Sequence, residues 1–203
     1  MKIKKATLHD ILAIAELNFD GFKDYELFNI SVSEAKHTKA LYEILKLNAV
    51  ASIQKGYGYL CYDADKLIGY FSLIPAGQEL DGLAFLKAGA WKIPLLTSFK
   101  TSRQLLSQVL KAEAILKPFP KDYWYLDTLV VVPGNQGSGY GSRILQAAKD
   151  LVIKNHGRKL RLITNATRNR DFYTKNAFIN DAIILPTDNN SNFTTWSFYF
   201  DVK

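Results

Sequence analysis

The chain of 203 residues contains a single cysteine, Cys61. No intrachain disulfide can form, and an oxidising compartment gains no support. Long apolar runs are also missing. Asp81, Lys87 and Lys92 break the best candidate, which falls short of the roughly eighteen apolar residues that a spanning helix needs. The opening "MKIKK" has the basic character of a signal-peptide start, but Asp10 and Glu16 interrupt the apolar run after it. The cytoplasm is the expected home, with no membrane partner. Histidine is scarce, and His9, His37 and His156 have no metal-ligand spacing, so no metal is expected. No internal repeat or low-complexity linker divides the chain, and one domain over 1–203 is expected.

Apolar residues make up 48% and aromatics 13% of the chain, enough for a packed core. Cys61 lies in the apolar stretch "YGYLCYD". It reads as a small core residue, with a nucleophile as the alternative. The net charge is +7, and it is concentrated. From Arg143 to Lys175 nine Lys/Arg face only Asp150 and Asp171. An anionic partner or a basic surface would each account for that. Aromatics interleave with these cations, yet no RNA- or DNA-binding motif matches, and nucleic acid is not an expected partner.

Periodicity predicts alternating elements. Residues 2–6 read as a strand. Thr7 and Asp10 have capping-box spacing for a helix over 8–18. "NFDGFKDYELFNIS" is too irregular for either element. Residues 33–54 read as a helix, and "GYGYLCYDADKLIGYFSLIPAG" as a hairpin turning at Asp63–Lys66. A helical insertion is expected at about 80–117, ended by Pro118 and Pro120. A central strand over 123–132, a helix over 140–156, a strand over 159–165, a short helix over 168–176 and two closing strands, "AIILP" and "TTWSFYFDV", complete the chain. The alternation predicts an α/β fold with parallel pairing in its second half, and the hairpin makes the sheet mixed.

The segment "VVVPGNQGSGYGSRIL", residues 130–145, joins a strand to a helix through four glycines and no acid. A helix start presents free backbone N–H groups and about half a positive charge. Glycine lets an anion approach the main chain closely. A phosphate is the natural guest. A P-loop starting at Gly134 would need Lys where Tyr140 stands. A dinucleotide fingerprint starting at Gly137 would need Gly where Ser142 stands. Gln-x-x-Gly-x-Gly is matched in full by Gln136, Gly139 and Gly141. An ordinary Gly-rich turn is the remaining alternative.

That last pattern resembles the coenzyme A pyrophosphate loop of the GNAT superfamily of N-acetyltransferases. "ITNATRNRDFYTKNAF" is similar to the later motif of that family through Asn169, Phe172, Tyr173 and Phe178, with Ala177 where Gly is usual. The acidic-aromatic loop after the first helix and "YWYLDTLVVVP" look most like the puromycin-acetyltransferase branch. The resemblance implies a mixed sheet of about six or seven strands with helices on both faces. It also implies acetyl-CoA as co-substrate and an amine-bearing acceptor, with a homodimer left open. A non-catalytic CoA-sensing or nucleic-acid-binding module on this fold is the alternative.

Carried over residue by residue, the resemblance implies a splay between strands 123–132 and 159–165. The backbone of Leu129, Val130 and Val131 would pair with the pantetheine arm. Gln136, Gly137, Ser138, Gly139, Tyr140, Gly141 and Ser142 would hold the pyrophosphate, and the cations of 143–175 would suit the nucleotide phosphates. Asn165 and Asn169 would line the cofactor, with Asn169 as a helix cap the alternative. Tyr173 is the candidate general acid for the departing thiolate, or else a core tyrosine. Asp127 shares a predicted strand face with Tyr125, Leu129 and Val131, and is the candidate base or a buried hydrogen-bonding group. Asp20, Asp24 and Glu26 would overhang the acceptor site and attract a cationic amine, or else form a solvated loop.

Overall fold

The computed structural model describes residues 1–186 and 192–202. Its seven strands are β1 (Lys2–Lys5), β2 (Gly58–Asp63), β3 (Lys66–Ile74), β4 (Trp124–Val131), β5 (Lys159–Thr164), β6 (Ile179–Ile184) and β7 (Thr195–Asp201). They form one sheet in the order β1-β2-β3-β4-β5-β7-β6. Every neighbouring pair is antiparallel except β4 and β5. The parallel character is therefore confined to one junction at the sheet centre.

Helices cover both faces. On one face, α1 (Ile11–Phe22) and α2 (Glu34–Gln54) pack Ile14, Leu17 and Ile53 against Leu60, Tyr70 and Val130. On the other, α6 (Tyr140–Lys154) packs Ile144, Leu145, Ala148 and Val152 against Phe71, Leu126 and Leu162. The shorter α7 (Thr167–Lys175) adds Tyr173 to that second core. The insertion forms α3 (Gly82–Ala88), α4 (Ile93–Leu96) and α5 (Phe99–Glu113), which stack on α2. α5 is tied to α2 through a third core holding Leu41, Ile44, Leu45, Leu105 and Ala112.

Two elements depart from the sequence reading. The first helix begins as a 3-10 turn at Leu8–Asp10, where the Asp10 carboxylate accepts the Thr7 N–H and hydroxyl, both at 2.8 Å. It then runs on through Gly21 to Phe22, past the predicted end at 18. Gly21 looks like a breaker, but a Cβ there would stand 2.4 Å from Val130 Cγ2. The residue is glycine because α1 crosses β4 closely at that point. The strand expected from "AIILP" begins earlier, at Ile179. Its pairing with β7 crosses an irregularity between Asn180 and Ala182, which disguises the alternation.

Candidate active site at the β4–β5 splay

β4 and β5 pair only at Trp124–Leu160 and Tyr125–Arg161, then diverge. The N–H of Val132 donates to Ile68 O at 2.9 Å on β3. Polar backbone groups alternate between the two edges of a strand. Hence Leu129 and Val131 turn theirs towards the gap left by β5, while Val130 spends its own on β3, opposite Tyr70. Of the three residues expected to pair with a ligand, Leu129 and Val131 have free edges. Val130 instead buries its side chain under α1 and α2.

At the end of the gap the chain enters the glycine loop. Gly134, Gly137 and Gly139 have φ of 82°, 80° and 81°, a left-handed backbone that suits glycine. A Cβ at Gly137 or Gly139 would meet no atom within 4 Å, so both positions face open space. Gln136, Ser138 and Ser142 are exposed around it. Gly139 is the N-cap of α6, and the N–H groups of the first turn have no partner within the helix. Gly141 lies against Phe172, 3.3 Å from where its Cβ would be, which locks the loop to α7. The Tyr140 side chain turns away and donates to Asp63 Oδ2 at 2.8 Å. That bond, with Arg143 beside it, holds the Asp63 carboxyl below its usual range. Tyr140 thus has only its backbone to offer at the loop.

The basic segment is not one phosphate-binding face. Lys149 is buried, donates to Asn176 O at 2.6 Å and lies over the rings of Phe200 and Phe178. Arg161 is 3% exposed, pairs with Asp181 at 2.8 Å and covers the Phe119 ring at 3.7 Å. Lys159 pairs with Asp201 and Arg170 with Asp171. Lys154 ends the 15-residue α6, roughly 20 Å from its start at 1.5 Å per residue. The cluster is dense in sequence only because two helices and the strand between them follow one another in the chain.

The side chain of Asp127 also lies elsewhere than the alternation predicts. The β3–β4 register shifts between Ser72 and Leu73: Ser72 faces Thr128 and Leu73 faces Leu126, leaving Asp127 without a partner. This β-bulge breaks the period of two. Leu126 stays with Leu129 and Val131 on the α6 side. Asp127 turns to the α2 side, where its Oδ2 accepts from Asn48 Nδ2 and Thr128 Oγ1, both at 2.9 Å. Burial raises its pKa and these two hydrogen bonds oppose the rise.

Tyr173 is buried against Phe172, Phe178 and Phe198, and burial raises its pKa, with Tyr25 adding to the rise. Asn165 is 1% exposed; its amide nitrogen donates to Thr195 Oγ1 at 2.8 Å and Thr194 O at 3.1 Å. Its side-chain donors are thus used to anchor β5 to β7. Asn169 is not a cap, since Ala166 holds that position. Its side chain lies near the Tyr25 phenol and opposes the rise in pKa that burial causes there. Cys61 is fully buried, and burial pushes its thiol up to about 12, so it is a core residue and no nucleophile.

Two residues join the site without having been singled out in the sequence. Asp20 lies in the last turn of α1 instead of the early loop and pairs with Lys23 at 3.1 Å, and the loop turns Asp24 and Glu26 out to solvent. It turns Tyr25 inward, where the phenol accepts the Asn165 N–H at 2.7 Å and shares a hydrogen bond with Thr164 Oγ1 at 2.9 Å. Glu113, the last residue of α5, is the second. Its residue surface is exposed while its carboxyl is desolvated by the protein around it. That desolvation, with the charge of Asp127, raises its pKa to about 7. Tyr125 is electrostatically coupled to Glu113, Asp127 and Tyr25. Tyr173 is coupled in turn to Tyr25. The only sequence signal for Tyr25 was the aromatic density of its loop; Glu113 had none. A separate groove of about 480 Å³, lined by α1 and α2 residues such as Phe19, Ala35 and Tyr42, contains none of them.

A central splay, strand edges without a β5 partner and a glycine loop at a helix start lie together on a mixed sheet. Residues 104–180 match the family model of the acetyltransferase (GNAT) domain. The fold of the chain is similar to a polyamine N-acetyltransferase of Drosophila melanogaster at 9% identity and TM-score 0.63, covering 99% of both chains. It is also similar to a mosquito arylalkylamine N-acetyltransferase-like protein, at 14% identity and TM-score 0.60 over 99% of both. The PaiA N-acetyltransferase of Thermoplasma acidophilum, in complex with coenzyme A, matches at 14% identity and TM-score 0.59, over 99% of this chain and 98% of that one. No curated protein matches by sequence. The likeness to the puromycin-acetyltransferase branch gains nothing from these matches.

Proposed function

We propose that the protein is an N-acetyltransferase that moves acetyl from acetyl-CoA to a primary amine of a small molecule or protein. One observation carries the reading: the unpaired edges of Leu129 and Val131 run through the splay into the open glycine loop before α6. The pantetheine arm would pair with those edges, and the pyrophosphate would rest on the N–H groups of residues 137–142. The Val131 N–H would meet the thioester oxygen as negative charge develops there. The amine nitrogen attacks the carbonyl carbon, the C–S bond breaks, and the sulfur leaves with the bonding electrons. Asp127, directly or through a water, takes the proton the amine loses. Tyr173 stays protonated at neutral pH and donates to the leaving sulfur. An amine is also the acceptor class named for the matched fly and mosquito proteins.

The test is direct. Purified protein with acetyl-CoA and a panel of amines should release free thiol in proportion to acetylated amine. In Gly139→Val the new side chain enters the open space of the loop, at a φ of 81°. Calorimetric CoA affinity should fall by at least about tenfold, or 1.4 kcal/mol, with circular dichroism unchanged. Unaltered affinity would remove the loop from the site.

A further inference from the structure

The helical insertion buries one side and leaves the other without a partner. Along α5, Thr101, Leu105 and Ala112 are buried on the side that packs on α2. Phe99, Leu106 and Leu110 follow one another at helical spacing on the opposite side, 64%, 43% and 67% exposed. Leu86 at the end of α3, Trp91 in the connection and Leu95 in α4 are also more than half exposed. These are large apolar groups, and the exposure continues across three helices, beyond the scattered single residues that are ordinary on a surface.

The charge around them is mainly positive. From Asp81, which caps α3, to Glu113, which ends α5, there are five Lys/Arg against those two acids. Lys87, Lys92, Lys100 and Arg103 are exposed and Lys111 is half-buried. None of the five forms an ion pair among the described residues. The occupant of this face must therefore be anionic and must also accept Leu, Phe and Trp. A second copy in a two-fold contact would set five cations against five, with only Asp81 and Glu113 of each copy to offset them. Nucleic acid would satisfy the cations and leave the apolar groups without a host. An anionic lipid surface supplies both: phosphate headgroups for the cations and an acyl boundary for the apolar tips.

We propose that the outer face of α3–α5 is a peripheral docking surface for an anionic lipid bilayer. This departs from the expectation that no membrane is a partner. That expectation rested on the lack of a spanning segment, and no helix among the described residues is long and apolar enough to cross. A contact in the interface plane needs none. The proposal does not rest on acyl transfer.

The test is co-sedimentation of the full chain with vesicles of phosphatidylcholine alone, and of phosphatidylcholine with about 30% phosphatidylglycerol, at low and high salt. The protein should pellet with the anionic vesicles at least about tenfold more than with the neutral ones, and salt should reduce the difference. Leu95→Ser with Phe99→Ser changes two side chains that are 78% and 64% exposed, so the fold should survive by circular dichroism. That variant should bind anionic vesicles at least about fivefold more weakly. Lys100→Glu with Arg103→Glu should abolish the preference for anionic lipid. Absence of pelleting with anionic vesicles overturns the proposal. Undiminished pelleting of the Ser variant does the same, by moving the contact to other cations such as Lys154 or Arg158. A dimer in analytical ultracentrifugation that the Ser variant dissociates would reassign the face to a contact between copies.

Discussion

Tyr173 is the side chain whose two roles separate most cleanly by experiment. Its ring is core by every contact, against Phe172, Phe178 and Phe198. Tyr173→Phe removes one oxygen and leaves that packing. As a donor to the leaving thiolate, its loss should lower kcat by about 10² with little change in KM for acetyl-CoA. As a structural hydroxyl, its loss should instead lower the melting temperature by the equivalent of about 1 kcal/mol, with kcat held. Asp127→Asn keeps the shape and removes the charge, so turnover at neutral pH should drop by about 10² if the carboxylate takes the amine proton. Glu113 gives a separate handle, through stability. Its folded-state pKa is raised to about 7 from an ordinary value of 4.5. The folded state holds that proton more tightly than the unfolded chain. The stabilising contribution is therefore full below the unfolded value and is lost as pH rises through about 7. Glu113→Gln cannot titrate, so its melting temperature should fall less than that of the wild type between about pH 5 and about pH 8. An equal fall would show that the carboxyl is not desolvated.

Among the elements, the β3–β4 pair matters most, because it sets both the splay edge and the direction of Asp127. Regular alternation from Leu129 would have put Asp127 among the apolar residues under α6. The bulge opposite Ser72 and Leu73 moves it to Asn48 and Thr128 instead. Gly69 holds this pair together at its other end. A Cβ there would come 2.5 Å from Val130 O and 2.5 Å from Ile144 Cδ1. A methyl group can push aside a side-chain tip but not a ladder carbonyl. Gly69→Ala should therefore destabilise the protein by about 1–3 kcal/mol, the range for overpacking a core, read as a lower urea midpoint at unchanged slope.

At the scale of the whole molecule, the three apolar clusters share elements. α2 contributes Ala49 and Ile53 to one and Leu41 and Leu45 to another, and β4 contributes Val130 to one and Leu126 to a third. The insertion is tied in through Leu105 and Ala112. No part can lose its core without disturbing the others. Thermal unfolding should be a single transition, with far-ultraviolet and near-ultraviolet circular dichroism coincident. An early separate loss of helix signal would identify the insertion as an independent unit.

The order of strands and helices was legible in the sequence because apolar period and turn chemistry are local. So was the glycine loop, since its demand for left-handed backbone at Gly134, Gly137 and Gly139 is met residue by residue. Side-chain direction at Asp127 was not, because a bulge is a relation between two strands and leaves no mark on either alone. Tyr25 and Glu113 were invisible for the same reason: they reach the splay from a loop far upstream of β4 and from the last turn of an inserted helix. The charge of 143–175 misled because sequence density ignores depth. Burial of Lys149 and Arg161, and the length of α6, scatter those cations through the fold. Local chemistry determined the elements and the loop; packing alone decided which titratable groups meet, because desolvation and Coulomb coupling depend on distances that only the folded chain defines.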